Sequence, residues 1–470
     1  MKRPKITVYI TNYNYGKYIT KAIKSVLNQT FKDIEILIID DGSTDGSKKI
    51  INKFTKKYSF ILAKFNKNQG LIKSCNAALK LASGKYILRL DADDWLDKNA
   101  IEIMYNKLEK NKKIEFIFPD YYEVDENGII LHSIRRHDFE NVKLYDSPAH
   151  GACGLFRRKT LIETGGYDEN FSCQDGVEIW LRFYKKFKVM NINIPLFYYR
   201  RHGNNLTENK GKILQNRNKI LIKHNNKKKE IIAFIPIRGP KFDKFSNVFR
   251  KLGHKTLLDW TLENLKKIDS IKYIIVSSPD NSVLNYIKKI KNPKIIAMKR
   301  SLSLSSQSVI IDDSIKFALK KIKQQKKINP SYVILSKLNC PFRNYKHIEN
   351  ASNTIQIYNL DRVYGVVTEN NASFRHNGNS LEPIRSYDYA TINSIDKKKI
   401  NIRIENEEIY NESGNFIIYS VKSIINKKTK KKLKIGHELL GKLSSYEIRS
   451  EFDWILAEKI ASNYEKFNQL

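Results

Sequence analysis

The first half of the chain repeats a pattern of short apolar run, polar loop and amphipathic helix. Ile6, Val8 and Ile10 alternate with polar residues, as in a strand, and residues 35–39 form a second apolar run. Apolar residues at helical spacing follow each run: Ile19, Ala22, Ile23, Val26 and Leu27, then Ile50, Ile51 and Phe54. This alternation predicts an α/β fold with a parallel sheet covered by helices on both faces.

A third apolar run, residues 86–90, is followed directly by acidic residues. Asp91 and Asp93 lie two positions apart, so an extended chain directs both carboxylates to the same side. Mg²⁺ and Mn²⁺ prefer oxygen ligands, typically one or two carboxylates together with substrate phosphates. The segment therefore predicts a metal that joins this loop to a diphosphate. The alternative is an acidic turn before the next helix, with Asp97 as its N-cap.

Three polar loops follow strands of the predicted sheet, at residues 11–15, 40–45 and 91–94. Ligands of parallel α/β sheets bind at the carboxyl ends of the strands. A nucleotide with its metal would then place the base over the first two loops and the diphosphate at the third.

The second half begins after a polar stretch rich in lysine and asparagine, residues 208–229, which has enough Ile and Leu for one helix. This stretch predicts a domain boundary, giving domains at 1–225 and 226–470. Residues 231–236 start a second series of alternating strands and helices. The first strand of that series ends in a basic loop containing Arg238 and Lys241, which predicts a phosphate cradle.

Composition narrows the class of protein. With 470 residues, of which 41% are hydrophobic, the chain can form two cores. No apolar run approaches the ~20 residues that span a bilayer, and residues 1–5 lead into a strand without a signal peptide. We therefore expect a cytoplasmic location. Four scattered cysteines indicate reduced thiols and argue against a zinc site.

The formal net charge is +36, with lysine spread over the whole chain. A solvated basic surface is the simplest interpretation. The next is attraction to an anionic membrane surface, which would place the protein at the inner face of the membrane. The chain has no nucleic-acid-binding motif with interleaved aromatic residues, so a nucleic-acid partner is not predicted.

Six segments of the first half carry a family resemblance by their order and spacing: Thr11-Asn12-Tyr13-Asn14, then residues 25–30, 39–45, 68–70, 82–86 and 91–94. Together they resemble the family 2 glycosyltransferases with the GT-A fold, over roughly residues 1–225. The resemblance implies a nucleotide-sugar donor, a divalent metal, Mg²⁺ or Mn²⁺, and inversion at the anomeric carbon. The expected acceptor is a glycan or a lipid-linked sugar in surface polysaccharide biosynthesis.

The same resemblance implies roles for single residues on the donor side. Thr11, Tyr13 and Asp41 would contact the base and ribose. Asp93, helped by Asp91, would hold the metal on the diphosphate.

Two further positions concern the donor phosphates. Many relatives carry Arg where Cys75 stands, and the neighbouring Lys73 is the candidate replacement for that charge. His202 lies in an Arg-x-His-Gly segment like one that folds back toward the donor in relatives. It is a candidate third metal ligand or phosphate contact, with a structural histidine as the equal alternative.

Inverting transfer needs a base that takes the proton of the acceptor hydroxyl. Asp175 occupies the family's base position, at a loop-to-helix junction. The alternative is a helix N-cap with Glu178 completing a capping box, and both interpretations are compatible. Trp180 is interpreted as a core residue and Arg182 as the partner of a buried carboxylate.

Segments of the second half resemble the acylneuraminate cytidylyltransferases, which make CMP-activated acidic sugars. They are residues 235–239, 251–257, 335–343, 415–419 and 451–458. This resemblance implies a second nucleotide-binding α/β domain with a nucleotidyltransferase-like mixed sheet, and a homodimer.

The chemistry of this half departs from that family. Ser246 replaces a lysine of the phosphate loop, and Glu447 and Arg449 replace the two metal-holding aspartates. Nucleotidyl transfer needs cationic charge at the phosphorus, and Arg449 repels a metal. Arg238 and Lys241 remain candidate phosphate contacts. We favour an altered nucleotidyltransferase used for binding or assembly; the alternative is a bifunctional enzyme that also makes a CMP-sugar from CTP.

Overall fold

The computed structural model describes residues 3–134, 151–203, 205–226, 228–306, 309–369, 374–376, 381–383, 409–425 and 433–464. The chain divides into two compact units. The first comprises residues 1–216 with 372–407, and the second comprises residues 217–371 with 408–470. No described helix has the length and apolar character needed to cross a bilayer.

The first unit alternates strands and helices as the apolar pattern predicts. Its strands are β1 (Ile6–Asn12), β2 (Ile34–Asp40), β3 (Ile61–Phe65), β4 (Tyr86–Asp91), β5 (Trp95–Leu96), β6 (Ile114–Val124), β7 (Ile130–Ile134), β8 (Leu155–Arg157) and β9 (Lys188–Arg200). Its helices are α1 (Ile19–Leu27), α2 (Ser47–Lys57), α3 (Leu71–Leu81), α4 (Ala100–Lys110), α5 (Arg158–Glu163) and α6 (Asp175–Lys186), and α7 (Lys210–His224) follows at the division between the units.

These strands form one mixed sheet in the order β3-β2-β1-β4-β8-β6-β9-β5, with β7 paired to β6. The first four strands are parallel, as predicted. The sheet as a whole is not, because β8 runs antiparallel to both β4 and β6. An α/β unit with a mixed sheet of this kind is consistent with the GT-A fold.

Helices cover this sheet on both faces because alternate residues of a strand point in opposite directions. Ile6, Val8 and Ile10 pack in one core with residues of α1 and α4. Tyr9 points to the other face and packs with residues of α3 and α6. The two cores hold the ends of β1, β2 and β4 in register, so Thr11 lies opposite Asp91 and Asn12 opposite Asp40.

The second unit is also α/β. Its main elements are β10 (Ile231–Pro236), β11 (Lys251–Leu252), β12 (Lys255–Thr256), α8 (Leu257–Lys266), β13 (Ile271–Ser278), α9 (Asn281–Lys289), β14 (Ile295–Lys299), α10 (Ile311–Lys326), β15 (Tyr332–Ser336), α11 (Tyr345–Ile357), β16 (Arg362–Glu369), β19 (Ile409–Ser420), α12 (Val421–Ile425), β20 (Ile435–Leu439) and α13 (Glu451–Ser462). A seven-stranded sheet has the order β14-β13-β10-β15-β19-β16-β20, with β19 antiparallel to β15 and β16. The short strands β17 (Phe374–His376) and β18 (Leu381–Pro383), which belong to the first unit, pair with each other.

Two helix caps, each considered as an alternative to a functional role, are not formed. Asn99, not Asp97, precedes α4, and Asp97 instead accepts a hydrogen bond from the Asn99 backbone N–H. The N-cap of α6 is Gln174, in the left-handed region at φ 66°, so Asp175 is the first helical residue and makes no capping box with Glu178. The predictions for the neighbouring residues are confirmed: Trp180 is buried, and Arg182 pairs with the buried Glu178.

Candidate functional site

The carboxyl ends of β1, β2 and β4 bring predicted site residues together at one edge of the sheet. The Thr11 hydroxyl donates to Asp91 Oδ1 over 2.7 Å. Asn12 Nδ2 donates to Asp40 Oδ2 over 2.7 Å, which ties the first loop to the second. Strand register alone produces these contacts between residues that are distant in sequence.

Asp41 lies at the same edge and is buried. Its two carboxylate oxygens accept hydrogen bonds from the backbone N–H groups of Gln69, over 3.1 Å, and Gly70, over 2.8 Å. Gly70 has φ +94°, which glycine adopts without a Cβ penalty, and α3 begins directly after it. Tyr13, in the loop after β1, is 47% exposed, so it offers an aromatic surface at this end of the strand.

Lys73 and Cys75, the two residues near the expected donor phosphates, lie on α3 with opposite exposure. Lys73 is exposed, whereas Cys75 is fully buried. Burial raises the pKa of the Cys75 thiol to about 12, against the opposing charge of the nearby Arg89 guanidinium. Arg89, a residue to which the sequence pattern assigns no role, is thus a cation that acts on the Cys75 thiol.

Arg89 bridges the two predicted functional carboxylates. Its Nε and Nη2 donate to the two oxygens of Asp91, over 2.8 and 2.9 Å. Its Nη1 donates to Asp175 Oδ2 over 2.6 Å. Burial disfavours the charged guanidinium, but Asp91 and Asp175 outweigh that effect and raise the pKa of Arg89 well above its usual value.

Asp93 and His202 form a second contact at this edge. The imidazole Nε2 of His202 lies 3.0 Å from Asp93 Oδ2, and both side chains are almost fully buried. The His202 ring packs against Tyr15 and Tyr18, with ring centroids 5.5 and 5.3 Å away. Burial raises the pKa of Asp93, although the contact with His202 opposes the shift.

Asp94 shows that this loop concentrates negative charge. Its Oδ1 accepts a hydrogen bond from the Arg200 backbone N–H over 2.9 Å. Its Oδ2 is buried with no hydrogen-bond donor in the described part of the chain. Burial, followed by repulsion from Asp93 and Asp91, raises the pKa of Asp94 well above its usual value. A cation near the loop would relieve both effects.

The side chains at this edge could hold a metal ion if the substrate supplied further ligands. Both Asp91 oxygens accept from Arg89, so Asp93 and His202 are the protein groups that would hold the ion. Within the described ranges, no three His, Cys, Asp or Glu side chains are grouped to hold a metal by themselves. Mg²⁺ commonly binds through one or two protein ligands completed by phosphate oxygens and water. An ion at Asp93 and His202 would need the same completion.

Asp175 is positioned by the start of α6 and by Arg89. Its side chain is 11% exposed, and a Cβ at Gly151 would lie 2.8 Å from Asp175 Oδ2. Only Oδ2 accepts a hydrogen bond from the described residues. The neighbouring His150 lies outside the described residues.

The basic loop of the second unit adopts a compact turn. Gly239 has φ +83°, and a Cβ there would lie 2.5 Å from the Asp280 Cβ. The Lys241 backbone N–H donates to Asp280 Oδ2 over 2.9 Å, which closes the loop after Arg238. The Ser246 backbone N–H donates to the Asp243 carbonyl in the following turn.

Glu447 and Arg449, which stand at the expected metal positions of the second unit, pair with each other. Arg449 Nη2 lies 2.5 Å from Glu447 Oε2. Asn339 Nδ2 donates to the other oxygen, Oε1. Both oxygens of Glu447 are thus engaged by protein donors.

Comparison with known proteins places the first unit in a family. The sequence profile described as glycosyl transferase family 2 matches residues 7–165. The chain is 26% identical to the hyaluronan synthase of Pasteurella multocida over 301 residues, and 26% identical to the chondroitin synthase of Pasteurella multocida strain Pm70 over 282 residues. These matches cover 62% and 60% of this chain but only 30% and 28% of the two synthases.

A third relative is shorter. An uncharacterized glycosyltransferase of Haemophilus influenzae is 30% identical over 222 residues, which is 43% of this chain and 67% of that protein. The residues matched by the family profile, 7–165, include the sheet edge at which Thr11, Asp41 and Asp91 lie. The chain belongs to glycosyl transferase family 2.

Proposed function

We propose that the first unit is an inverting, metal-dependent glycosyltransferase that moves a sugar from a nucleotide-sugar donor to a glycan acceptor in surface polysaccharide biosynthesis. The observation that carries this proposal is the guanidinium bridge from Asp91 through Arg89 to Asp175. This bridge connects the acidic loop, which is suited to a diphosphate with its metal, with the Asp175 carboxylate, which is suited to act as the base. The names of two relatives, hyaluronan synthase and chondroitin synthase, support a glycan acceptor over a lipid-linked one.

The donor would lie along the edge formed by β1, β2 and β4. The exposed Tyr13 ring is suited to stack on the base, and the loop ordered by Asp41 would hold the ribose. The diphosphate would lie at Asp93 and His202, with Lys73 as a surface contact. A bound Mg²⁺ or Mn²⁺ would stabilise the negative charge that develops on the leaving diphosphate.

The transfer itself is a single displacement. The acceptor oxygen forms a bond to the anomeric carbon from the face opposite the diphosphate, while the bond from that carbon to the phosphate oxygen breaks. Asp175 takes the acceptor proton at Oδ1, since Oδ2 is held by Arg89. The nucleoside diphosphate leaves with the bonding electrons, and the configuration at the anomeric carbon is inverted.

The test is nucleotide release from a panel of UDP-GlcNAc, UDP-glucose, UDP-glucuronate and GDP-mannose with Mn²⁺. Hyaluronan and chondroitin oligosaccharides serve as acceptors. Asp175→Asn should lower kcat roughly 10²–10⁴-fold and leave donor binding in place, because it removes only the base. Glu163→Gln, on the exposed side of α5, is the matched control. No release by the wild-type protein from any donor would refute the proposal, and full turnover by Asp175→Asn would refute the base.

A second proposal concerns the second unit, which we infer binds an anionic nucleotide. The buried Arg300 donates through Nη2 to the Ile237 carbonyl, beside Arg238, and repulsion from Arg238 after burial lowers the pKa of Arg300 to about 10. Arg300 Nη1 is buried without an acceptor, and neither arginine has an acidic partner within the described residues. Two such cations beside the closed loop of Lys241 suit the phosphates of CTP or of a CMP-sugar.

The contacts of Glu447 favour binding over catalysis in this unit. Arg449 and Asn339 occupy both carboxylate oxygens, so a metal would have to displace them. The bifunctional alternative makes a different prediction, the release of pyrophosphate from CTP in the presence of Mg²⁺ and an acidic sugar.

Two further proposals concern partners. A homodimer through the second unit is testable by sedimentation. Attraction of the basic surface to an anionic membrane is testable by binding to vesicles containing phosphatidylserine.

A further inference from the structure

We infer that Arg89 is a positioning residue for sugar transfer, holding the proposed base Asp175 at a set distance from the donor-binding loop. The inference rests on the proposed function. Arg89 uses three guanidinium nitrogens for two carboxylates, Nε and Nη2 on Asp91 and Nη1 on Asp175. The contact to Asp175 spans 86 positions in sequence.

The location of Arg89 makes this contact a rigid one. Arg89 is the fourth residue of β4 and lies opposite Tyr9 in the parallel pair with β1, so its side chain enters the core between the sheet and helices α3 and α6. Only 5% of the side chain is exposed. A buried charge is stable only when it is paired and hydrogen-bonded, and here the partners come from two different elements.

The planar guanidinium fixes the geometry between those elements. A guanidinium binds carboxylates through paired donors in a fixed plane, whereas a lysine ammonium has no such plane. Asp91 is held further by the Thr11 hydroxyl, so the donor side of the bridge is anchored to β1. Asp175 is bound at Oδ2, which directs its other oxygen away from the bridge. Reaction geometry at the acceptor proton therefore depends on Arg89.

Gly151 gives an independent sign that the bridge is tightly packed. A Cβ at this position would lie 2.8 Å from Asp175 Oδ2 and 3.2 Å from Arg89 Nη1. Both atoms belong to the hydrogen bond between Arg89 and Asp175. The space around that bond accommodates the hydrogen of glycine at position 151 but not the methyl group of alanine. Gly151→Ala would therefore displace the Asp175 carboxylate without removing any charge.

The test compares Arg89→Lys and Gly151→Ala with wild-type protein in full-length form. The readouts are kcat and KM for UDP-GlcNAc, or for whichever panel sugar the wild type turns over, with the thermal midpoint as a measure of folding. Misplacing a reacting group by about 1 Å can cost on the order of 10²-fold in rate. We expect each variant to lose roughly that factor in kcat while KM for the donor changes less than about threefold.

Arg182→Lys is the matched control, because Arg182 also binds a carboxylate and two backbone carbonyls, on the same helix α6 but away from Asp175. Arg182→Lys should lower the thermal midpoint without changing kcat, expressed per molecule of folded protein. Wild-type kcat in Arg89→Lys, or an equal fall in Gly151→Ala and Arg182→Lys, would overturn the inference. If the wild type itself releases no nucleotide, the transferase proposal fails instead, and the inference with it.

Discussion

The His202 imidazole lies 3.0 Å from Asp93 Oδ2, although 109 positions separate the two residues in sequence. The contact exists because the segment after β9 returns to the acidic loop, where Arg200 Nε also donates to the Asp93 carbonyl over 2.9 Å. From the sequence, His202 could be either a metal ligand or a structural residue. The contact gives it an acidic neighbour at the proposed diphosphate site.

We expect Asp93→Ala to abolish the gain in UDP affinity that Mn²⁺ gives the wild-type protein. His202→Ala should lower the UDP affinity measured with Mn²⁺ by about tenfold, or ~1.4 kcal/mol. The reason is that these two side chains supply the protein ligands of the proposed ion. Calorimetry with UDP, with and without Mn²⁺, measures both effects. His132→Ala, which removes a half-exposed histidine paired with Glu123, is the control. Unchanged Mn²⁺ dependence in Asp93→Ala would exclude this ligand set.

Asp41→Asn should lower the free energy of unfolding by about 1–3 kcal/mol and weaken UDP binding. An amide has one oxygen where the carboxylate has two, so either the Gln69 or the Gly70 backbone N–H loses its acceptor. Chemical denaturation and calorimetry give the two values. Asp33→Asn is a matched control, since Asp33 accepts from the Lys5 backbone N–H far from the proposed nucleotide. Weaker UDP binding in both variants would mean that Asp41 acts only through stability.

Arg300→Met should lose CTP binding and lower the free energy of unfolding by about 1–3 kcal/mol. The loss of stability arises because Arg300 donates to Ser305 Oγ and to the Ile237 carbonyl, and both would lose a buried donor. A thermal shift with CTP and Mg²⁺ reports binding, because a ligand at 100 times its Kd stabilises by about 2.7 kcal/mol. Arg250→Met is the control, since Arg250 is already paired with Glu451. Retained CTP binding with a large loss of stability would make Arg300 a structural residue.

The four cysteines should react slowly with a thiol reagent in the native protein and quickly after denaturation. All four are buried free thiols. Burial raises the pKa of Cys75 to about 12 and that of Cys340 to about 11, so the reactive thiolate is scarcer at pH 8 than in an ordinary cysteine. Raising the pH toward 10 should increase the native rate. Ellman's reagent measures it, and four fast native equivalents at pH 8 would contradict the burial.

The alternation of apolar and polar residues predicted most elements of both units. The strand at residues 86–90 is β4, and the helix from Ser47 is α2. Such patterns record which face of an element is buried, and that property is local in sequence. The predicted all-parallel sheet of the first unit was wrong where β8 enters, because the direction of a strand depends on the path of the chain before it.

Capping shows the limit of local reasoning at the site. Asp175 and Glu178 have the spacing of a capping box, but Asp175 is drawn to Arg89 and Glu178 to Arg182. The pair of Asp175 with Arg89 joins two elements, and no pattern within either segment contains that information. The pair of Glu178 with Arg182 is local, four residues apart on α6.

For this protein, the sequence by itself determined the succession of strands and helices, the acidic and basic loops at strand ends and the motifs of the first unit, because burial and turn chemistry act between near neighbours. The tertiary structure decided which charges meet. It set Arg89 between Asp91 and Asp175, brought His202 to Asp93 and left Arg300 beside Arg238, because strand register and helix packing join residues that are dozens of positions apart.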